Sequence, residues 1–241
     1  MVESYRLFGR AMLEHLDGGL GKYSYERDDG FLDPADVRPY FAPYRKWPEG
    51  ERRALRWARG RVLDVGRGAG RVALTLQRRG LPVIGIDVSS EAVRCARLRG
   101  VKDVRAMDAR RLNFPPRTFD TIVMFGNNFG ICGDFAATKR FLRRARAIAR
   151  PGGRLLASTA IPASWMKQHA AYLKRNVARG LPPGLVRLRI RFRRQVGSWF
   201  RLLFLSPDDV LRLCAATGWD VESVILEPRG QSTYAFVAGR A

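Results

Sequence analysis

Arg61-Val62-Leu63-Asp64-Val65-Gly66-Arg67-Gly68-Ala69-Gly70-Arg71 decides how the rest of the chain is read. Val62 to Val65 is a short apolar run with one acid near its end, and Gly66, Gly68 and Gly70 follow at alternate positions. Val72 to Gln77 then carries the apolar spacing of a helix. Strand, glycine turn and helix start bring a ligand close to bare backbone at a helix N-terminus. The spacing is G-x-G-x-G, not the G-x-G-x-x-G of a dinucleotide turn. Asp64 would point its charge toward the turn, which repels a pyrophosphate and suits a ligand bearing an ammonium group.

Working outward, Leu81 to Ser89 reads as a second strand ending in Asp87. Asp87 follows the glycine turn by about the interval at which nucleotide-binding folds place a carboxylate for ribose hydroxyls. Two hydroxyls can donate to one carboxylate; the plainer reading is that Asp87 caps the helix that follows. That helix runs through Arg99, with Ser89 or Ser90 as N-cap. Asp103 to Ala109 reads as a third strand followed by the acid Asp108. Thr118 to Gly130 is a fourth strand and its exit loop, where Asn127 and Asn128 either face a ligand or stabilise a glycine-flanked turn. Asp134 to Arg150 is an amphipathic helix, and Arg150 to Gly153 turns into a fifth strand.

From about Arg61 to Arg154 these segments resemble the class I S-adenosylmethionine (SAM)-dependent methyltransferases. The glycine turn resembles their motif I, with Arg67 where the family usually has Cys or Ser. Phe119-Asp120-Thr121-Ile122 resembles the family's FD-x-V strand, and Ala149-Arg150-Pro151-Gly152-Gly153 its L-x-P-G-G-x-L turn. Glu26 to Gly30 and Gly126 to Gly130 look like segments of bacterial methyltransferases of unassigned substrate.

The resemblance implies a Rossmann-like three-layer α/β/α sandwich. Its seven-stranded sheet would be mostly parallel with an antiparallel last strand, carrying an N-terminal helical cover and an inserted β-hairpin. It implies SAM as cofactor, S-adenosyl-L-homocysteine (SAH) as product, and no metal. Asp64, Gly66, Arg67, Gly68 and Gly70 would meet its methionine part, and Asp87 with Val88 the ribose. Met107, Asp108 and Ala109 would frame the adenine, while Phe125, Gly126 and Asn127 would lie beside the sulfonium. No general base stands out; Asn127, Asn128, His169, Tyr40 and Tyr25 are the candidates, with His169 read as an ordinary helix-surface residue. The D/N-P-P-Y/F sequence of methyltransferases acting on exocyclic amines of nucleic-acid bases is absent, since Asn127-Asn128-Phe129 has no prolines.

A chain of 241 residues with 46% hydrophobic content supports one sizeable packed α/β domain. The expected layout within 1–241 is a cover or lid over 1–58 and a SAM-binding core over 59–161. An insertion over 162–205 and a closing helix and strands over 206–241 complete it. The first residues lack the apolar core of a signal peptide and no later run could span a membrane, so the reading is a cytoplasmic protein, monomer or homodimer. Cys95, Cys132 and Cys214 are widely separated and read as free thiols. The net charge of +22 is carried almost wholly by arginine, with lysine only at 22, 46, 102, 139, 167 and 174. Such a charge attracts polyanions without specificity, yet no basic tail or aromatic-interleaved motif marks a nucleic-acid footprint.

In the cover, Ser4 to Leu16 has helical spacing, and Tyr23 to Trp47 is aromatic, turn-rich and punctuated by proline. In the insertion, Ser164 to Arg179 reads as a helix. Leu185 to Arg193 alternates apolar residues with Arg187, Arg189, Arg191 and Arg193, a half-buried strand that Val196-Gly197-Ser198 would turn back. Those arginines form either a solvated face or a surface for an anionic substrate group. Ser206-Pro207 starts another helix. Three function classes follow. A methyltransferase with a small-molecule acceptor leads, an RNA or protein methyltransferase using the basic surface is second, and a SAM-binding module without catalysis is third.

Overall fold

A computed structural model describes residues 2–66, 68–162, 169–228 and 233–241. Arg67, residues 164–168 of the expected insertion helix, and Arg229, Gly230 and Ser232 of the expected closing turn lie outside the described residues. The helices are α1 (Val2–Leu16), α2 (Arg38–Phe41), α3 (Glu49–Ala54), α4 (Arg71–Arg78), α5 (Ser90–Leu98), α6 (Phe135–Ile148), α7 (Ala170–Ala178) and α8 (Pro207–Ala215). The N-terminal and core strands are β1 (Lys22–Arg27), β2 (Leu32–Asp36), β3 (Val62–Val65), β4 (Val83–Asp87), β5 (Asp103–Ala106), β6 (Phe119–Met124) and β7 (Ala149–Ala160). β8 (Leu185–Phe192), β9 (Gln195–Val196), β10 (Phe200–Leu203), β11 (Trp219–Leu226) and β12 (Thr233–Arg240) complete the set.

A seven-stranded sheet has the order β11-β12-β7-β6-β3-β4-β5. β4 with β5 and β6 with β7 pair in parallel, whereas β12 is antiparallel to both β7 and β11. This is the Rossmann-like α/β architecture with an antiparallel last strand. In a second sheet, β10-β8-β1-β2 with β9 beside β8, β1 runs antiparallel to β2 and β8, and β9 antiparallel to β8. By contact density the chain divides into two compact units. One comprises Met1–Trp47, Leu63–Ala109 and Arg187–Phe200; the other comprises Pro48–Val62, Arg110–Val186 and Arg201–Ala241. Among the described residues no helix is long and apolar enough to cross a membrane.

In the first unit, α1 buries Leu7, Ala11 and Met12. Gly9 lets it cross the start of α5, since a Cβ there would stand 2.5 Å from Ser89 Oγ. Arg6 pairs with Glu91 at 3.0 Å across the same crossing. Ser4 Oγ donates to Ser198 O at 2.6 Å and accepts from Ile190 N at 3.1 Å, tying α1 to the second sheet. Ser89 is the α5 N-cap, its side chain accepting from Ala92 N.

The stretch read as turn-rich is a hairpin. β1 and β2 pair around Asp28-Asp29-Gly30, where Gly30 takes φ +87°. The other edge of β1 pairs with β8, so the N-terminal segment and the insertion share one sheet. The insertion's tight turn also differs from expectation. Arg191 pairs with Val196 and Phe192 with Gln195, leaving the two-residue loop Arg193-Arg194 with Arg193 at φ 54°. The turn falls there and not at Val196-Gly197-Ser198 because the pairing with β8 continues through that stretch, where Gly197 N donates to Ile190 O at 2.8 Å. The arginines on that strand are largely matched by acids. Glu26 takes both Arg189 and Arg191, and Glu14 takes Arg193 at 2.6 Å.

In the second unit, α6 starts at Asp134, whose carboxylate accepts from Ala137 N at 2.7 Å. α8 opens with a capping box between Ser206 and Asp209, with Pro207 in its first turn as the sequence indicated. Trp219 Nε1 donates to Leu142 O at 3.1 Å and Tyr234 OH to Leu205 O at 2.8 Å, so both buried polar rings are satisfied. β7 begins at Ala149 and runs through Pro151-Gly152-Gly153. A register shift between Phe119 and Thr121 of β6 absorbs that turn-like sequence within the strand.

Candidate active site

All four residues of β3 are buried, so the strand drives the chain to the glycine turn from within the core. Gly66, Gly68 and Gly70 take φ +67°, +52° and +82°, all in the left-handed region. Only glycine adopts that backbone freely, and within the turn Gly66 N donates to Ile86 O at 2.9 Å. Gly70 is also the N-cap of α4. A Cβ built at Gly68 would stand 2.9 Å from Met12 Cε and 3.3 Å from Tyr40 Cδ1, so α1 and α2 approach the turn closely.

Two carboxylates hold this turn. Asp64, 1% exposed, accepts from Ala73 N at 3.2 Å, which anchors its charge on the first turn of α4. Asp87, half-buried at the end of β4, accepts from Gly68 N at 3.0 Å through Oδ2 and from Ser89 N at 3.0 Å through Oδ1. Val88 is half-buried beside it. Met107 N donates to Asp87 O at 2.9 Å, placing Met107, Asp108 and Ala109, all half-buried, directly after that strand end. Arg67 lies outside the described residues.

Tyr40 and Tyr25 belong to an aromatic cluster in the same unit. Phe8 meets Tyr23 and Tyr40 edge-on with ring centroids 5.0 Å apart, and Tyr23 OH donates to Tyr25 OH at 3.2 Å. Burial pushes the Tyr25 phenol above its ordinary value, against lowering by hydrogen bonds from Tyr23 and Tyr40. Burial likewise pushes Tyr23 well up. Both phenols are therefore neutral at neutral pH, hydrogen-bonding groups without the charge of a ready base.

The other candidates fall in the second unit. Buried Phe125 follows the end of β6, after which Gly126 and Asn127 both take left-handed backbone, at φ 76° and 64°. Gly126 N donates to Glu51 Oε1 at 2.8 Å and to Ser158 Oγ at 2.9 Å; Ser158 Oγ donates to Glu51 Oε1 at 2.9 Å. Asn127 N also reaches Ser158 Oγ, at 3.4 Å, and Asn128 begins a short 3₁₀ turn ending at Gly130. Glu51 is only 3% exposed. Sequence reasoning missed both Glu51 and Ser158. The legible signal was a carboxylate on the inward face of a helix, since Glu51 shares the i, i+3, i+4 stripe of Ala54 and Leu55. His169, expected at a helix surface, is buried at 3% exposure just before α7. Among the described residues no three His, Cys, Asp or Glu side chains are grouped to hold a metal ion.

Comparison with known proteins places this geometry. Residues 62–153 match the family model described as a methyltransferase domain. The phosphatidylethanolamine N-methyltransferase of Cereibacter sphaeroides is 48% identical over 71 residues, 27% of this chain and 34% of that protein. The ubiquinone biosynthesis O-methyltransferase of Agrobacterium fabrum is 32% identical over 129 residues, 52% of this chain and 50% of that one. The chain thus spans half or less of the length of these curated relatives. A SAM-dependent methyltransferase from Bacteroides fragilis, solved in complex with SAH, superposes with a TM-score of 0.82. It is 26% identical, over 99% of this chain and 96% of that one.

Proposed function

We propose that this chain, which belongs to the class I SAM-dependent methyltransferases, transfers a methyl group from SAM to a small-molecule acceptor. The observation that carries the reading is the glycine turn, three left-handed glycines held by a strand-end carboxylate on Gly68 N. The donor set fits the cofactor. Bare backbone at Gly66, Gly68 and Gly70 accommodates the methionine part, the anchored charge of Asp64 orients the turn, and Asp87 accepts from ribose hydroxyls. Val88 continues the ribose side, and Met107, Asp108 and Ala109 take the adenine. The assignment of Phe125, Gly126 and Asn127 to the methyl-bearing end rests on their place after the fourth core strand of the sequence.

SAM supplies a methyl group already activated on a sulfonium, so the protein's work is to hold the acceptor in line and keep water out. A base is required only where the acceptor must lose a proton first. Tyr25 serves as a neutral hydrogen-bonding group in this reading, with Tyr40 beside it as a hydrogen-bonding partner. The small acceptor is supported by the relatives, one named for phosphatidylethanolamine and one for ubiquinone biosynthesis. The net charge of +22 favours RNA as the second acceptor class.

The deciding experiment supplies methyl-labelled SAM with small-molecule extract, with RNA and with protein in parallel. Label in the extract alone is expected. Label in RNA alone, persisting above moderate salt, would replace this reading with the second. RNA binding that vanishes equally for every sequence as salt rises would be counterion release and nothing more.

A further inference from the structure

Three arginines at the ends of α4 and α5 lie over three rings of one short N-terminal stretch. Arg99 sits 4.5 Å from the centre of Phe41, Arg79 4.7 Å from Tyr44, and Arg71 4.5 Å from Trp47. All belong to the unit that holds the turn. Arg71 opens α4, Arg79 closes it, and Arg99 closes α5. The stretch Tyr40–Trp47 therefore crosses helix ends, pinned at each by a cation on a ring face. Trp47 Nε1 donates to Ala42 O at 2.8 Å, which holds the stretch compact between its end pins.

Arg99 differs from the other two because it also reaches the turn. Its Nη1 donates to Ala69 O at 2.5 Å and to Tyr40 O at 3.4 Å. Ala69 lies between Gly68 and Gly70, and the Tyr40 ring is the group that a Cβ on Gly68 would approach. A single guanidinium thus joins the carbonyl of the turn, the carbonyl that starts the stretch, and the ring that follows it. Lysine offers no planar fork for stacking and bridging at once.

We propose that Arg99 is a positioning residue that locks the aromatic strap Tyr40–Trp47 onto the glycine turn, so that cofactor occupancy and strap docking reinforce each other. The proposal rests on the cofactor reading above. The bond to Ala69 O adds to the contacts that hold the turn's backbone, and the strap is held through the same side chain. A cofactor that favours the ordered turn must then also favour the docked strap, and the reciprocal follows by linkage.

The test is amide hydrogen exchange over residues 40–47, with and without SAH, alongside titration of SAH. The proteins are wild type, Arg99→Gln, Arg99→Lys and Phe41→Leu. In the wild type, SAH is expected to slow exchange in the strap about fivefold or more. Arg99→Gln should raise strap exchange, weaken SAH about tenfold and raise KM for SAM while leaving KM for the acceptor unchanged. Arg99→Lys should recover part of the affinity and less of the protection. Phe41→Leu keeps the Ala69 bond and should still speed strap exchange, so it decides the matter if Arg99→Gln fails to fold. SAH affinity and strap exchange within twofold of wild type in the folded variants would overturn the proposal. If wild type binds no SAH, the cofactor reading fails. The strap lock is then judged on ligand-free protein, where unchanged exchange in the variants overturns it and faster exchange supports it.

Discussion

Asp87 Oδ2 accepts a 3.0 Å hydrogen bond from Gly68 N while Oδ1 accepts one from Ser89 N. One strand-end carboxylate thereby fixes the middle of the glycine turn and the approach to the α5 N-cap together. The turn is pre-shaped by protein contacts, with Asp87 on Gly68 N and with Met12 and Tyr40 against the place a Gly68 side chain would take.

Gly68→Ala follows directly. At φ +52° an alanine carries left-handed strain of about 1–3 kcal/mol, and its Cβ meets Met12 Cε at 2.9 Å. Gly80→Ala is the control, since Gly80 takes φ +78° with no atom near its would-be Cβ. Both variants should lose stability in chemical denaturation, and only Gly68→Ala should also weaken SAH. Equal, wild-type affinity in the two would mean the turn does not meet the ligand.

Glu51 and Ser158 should behave as one unit. Glu51→Ala leaves the buried Ser158 hydroxyl without its carboxylate acceptor and Gly126 N with Ser158 Oγ alone, a cost of about 1–3 kcal/mol. Ser158→Ala leaves Gly126 N with its Glu51 partner and should cost less. A double-mutant cycle on unfolding free energy should give a coupling of about 0.5 kcal/mol or more. Strict additivity would contradict the shared hydrogen-bond set.

Acid should loosen the second sheet through Glu26. Hydrogen bonds from Arg189 and then Arg191 hold its carboxyl at about 2, below the ordinary 4.5. A depressed folded-state pKa means the stabilisation is full above the ordinary value and disappears as pH falls from about 4.5 toward 2. Both guanidiniums are partly exposed, so solvent screens the gain and the effect is modest. Melting temperature followed across that window should fall more steeply for wild type than for Glu26→Gln. Parallel curves would remove Glu26 from the account.

The thiols should be silent in the folded protein. Cys95, Cys132 and Cys214 are all buried, and burial pushes Cys214 up to about 12. A thiol reagent at neutral pH should label none of them until denaturant is added. Rapid labelling of Cys214 in native protein would show that the packing around α8 is wrong.

The core strands and caps were legible because their signals are local. Val62–Val65, the Asp87 strand end and the Ser206-Pro207 start each declare themselves within a few residues. The β1–β8 pairing was not, since Glu26 and Arg189 are distant in sequence and Tyr23 to Leu32 reads as turns when taken alone. Period-two alternation revealed β8 as a strand without naming its partner. Burial of His169 was equally hidden. A polar residue looks solvent-facing until the tertiary neighbours that satisfy it are known. Arg99 read only as the end of a helix, because its targets, Ala69 O and Phe41, are brought to it only by folding.

The most direct measurement is calorimetric titration of SAM and SAH into wild-type protein and into Asp87→Ala, with circular dichroism confirming that the variant is folded. The account predicts dissociation constants on the order of micromolar for both ligands in wild type, weakened about tenfold or more in Asp87→Ala. Wild-type protein that binds neither ligand, or Asp87→Ala that binds both as tightly as wild type, would contradict it.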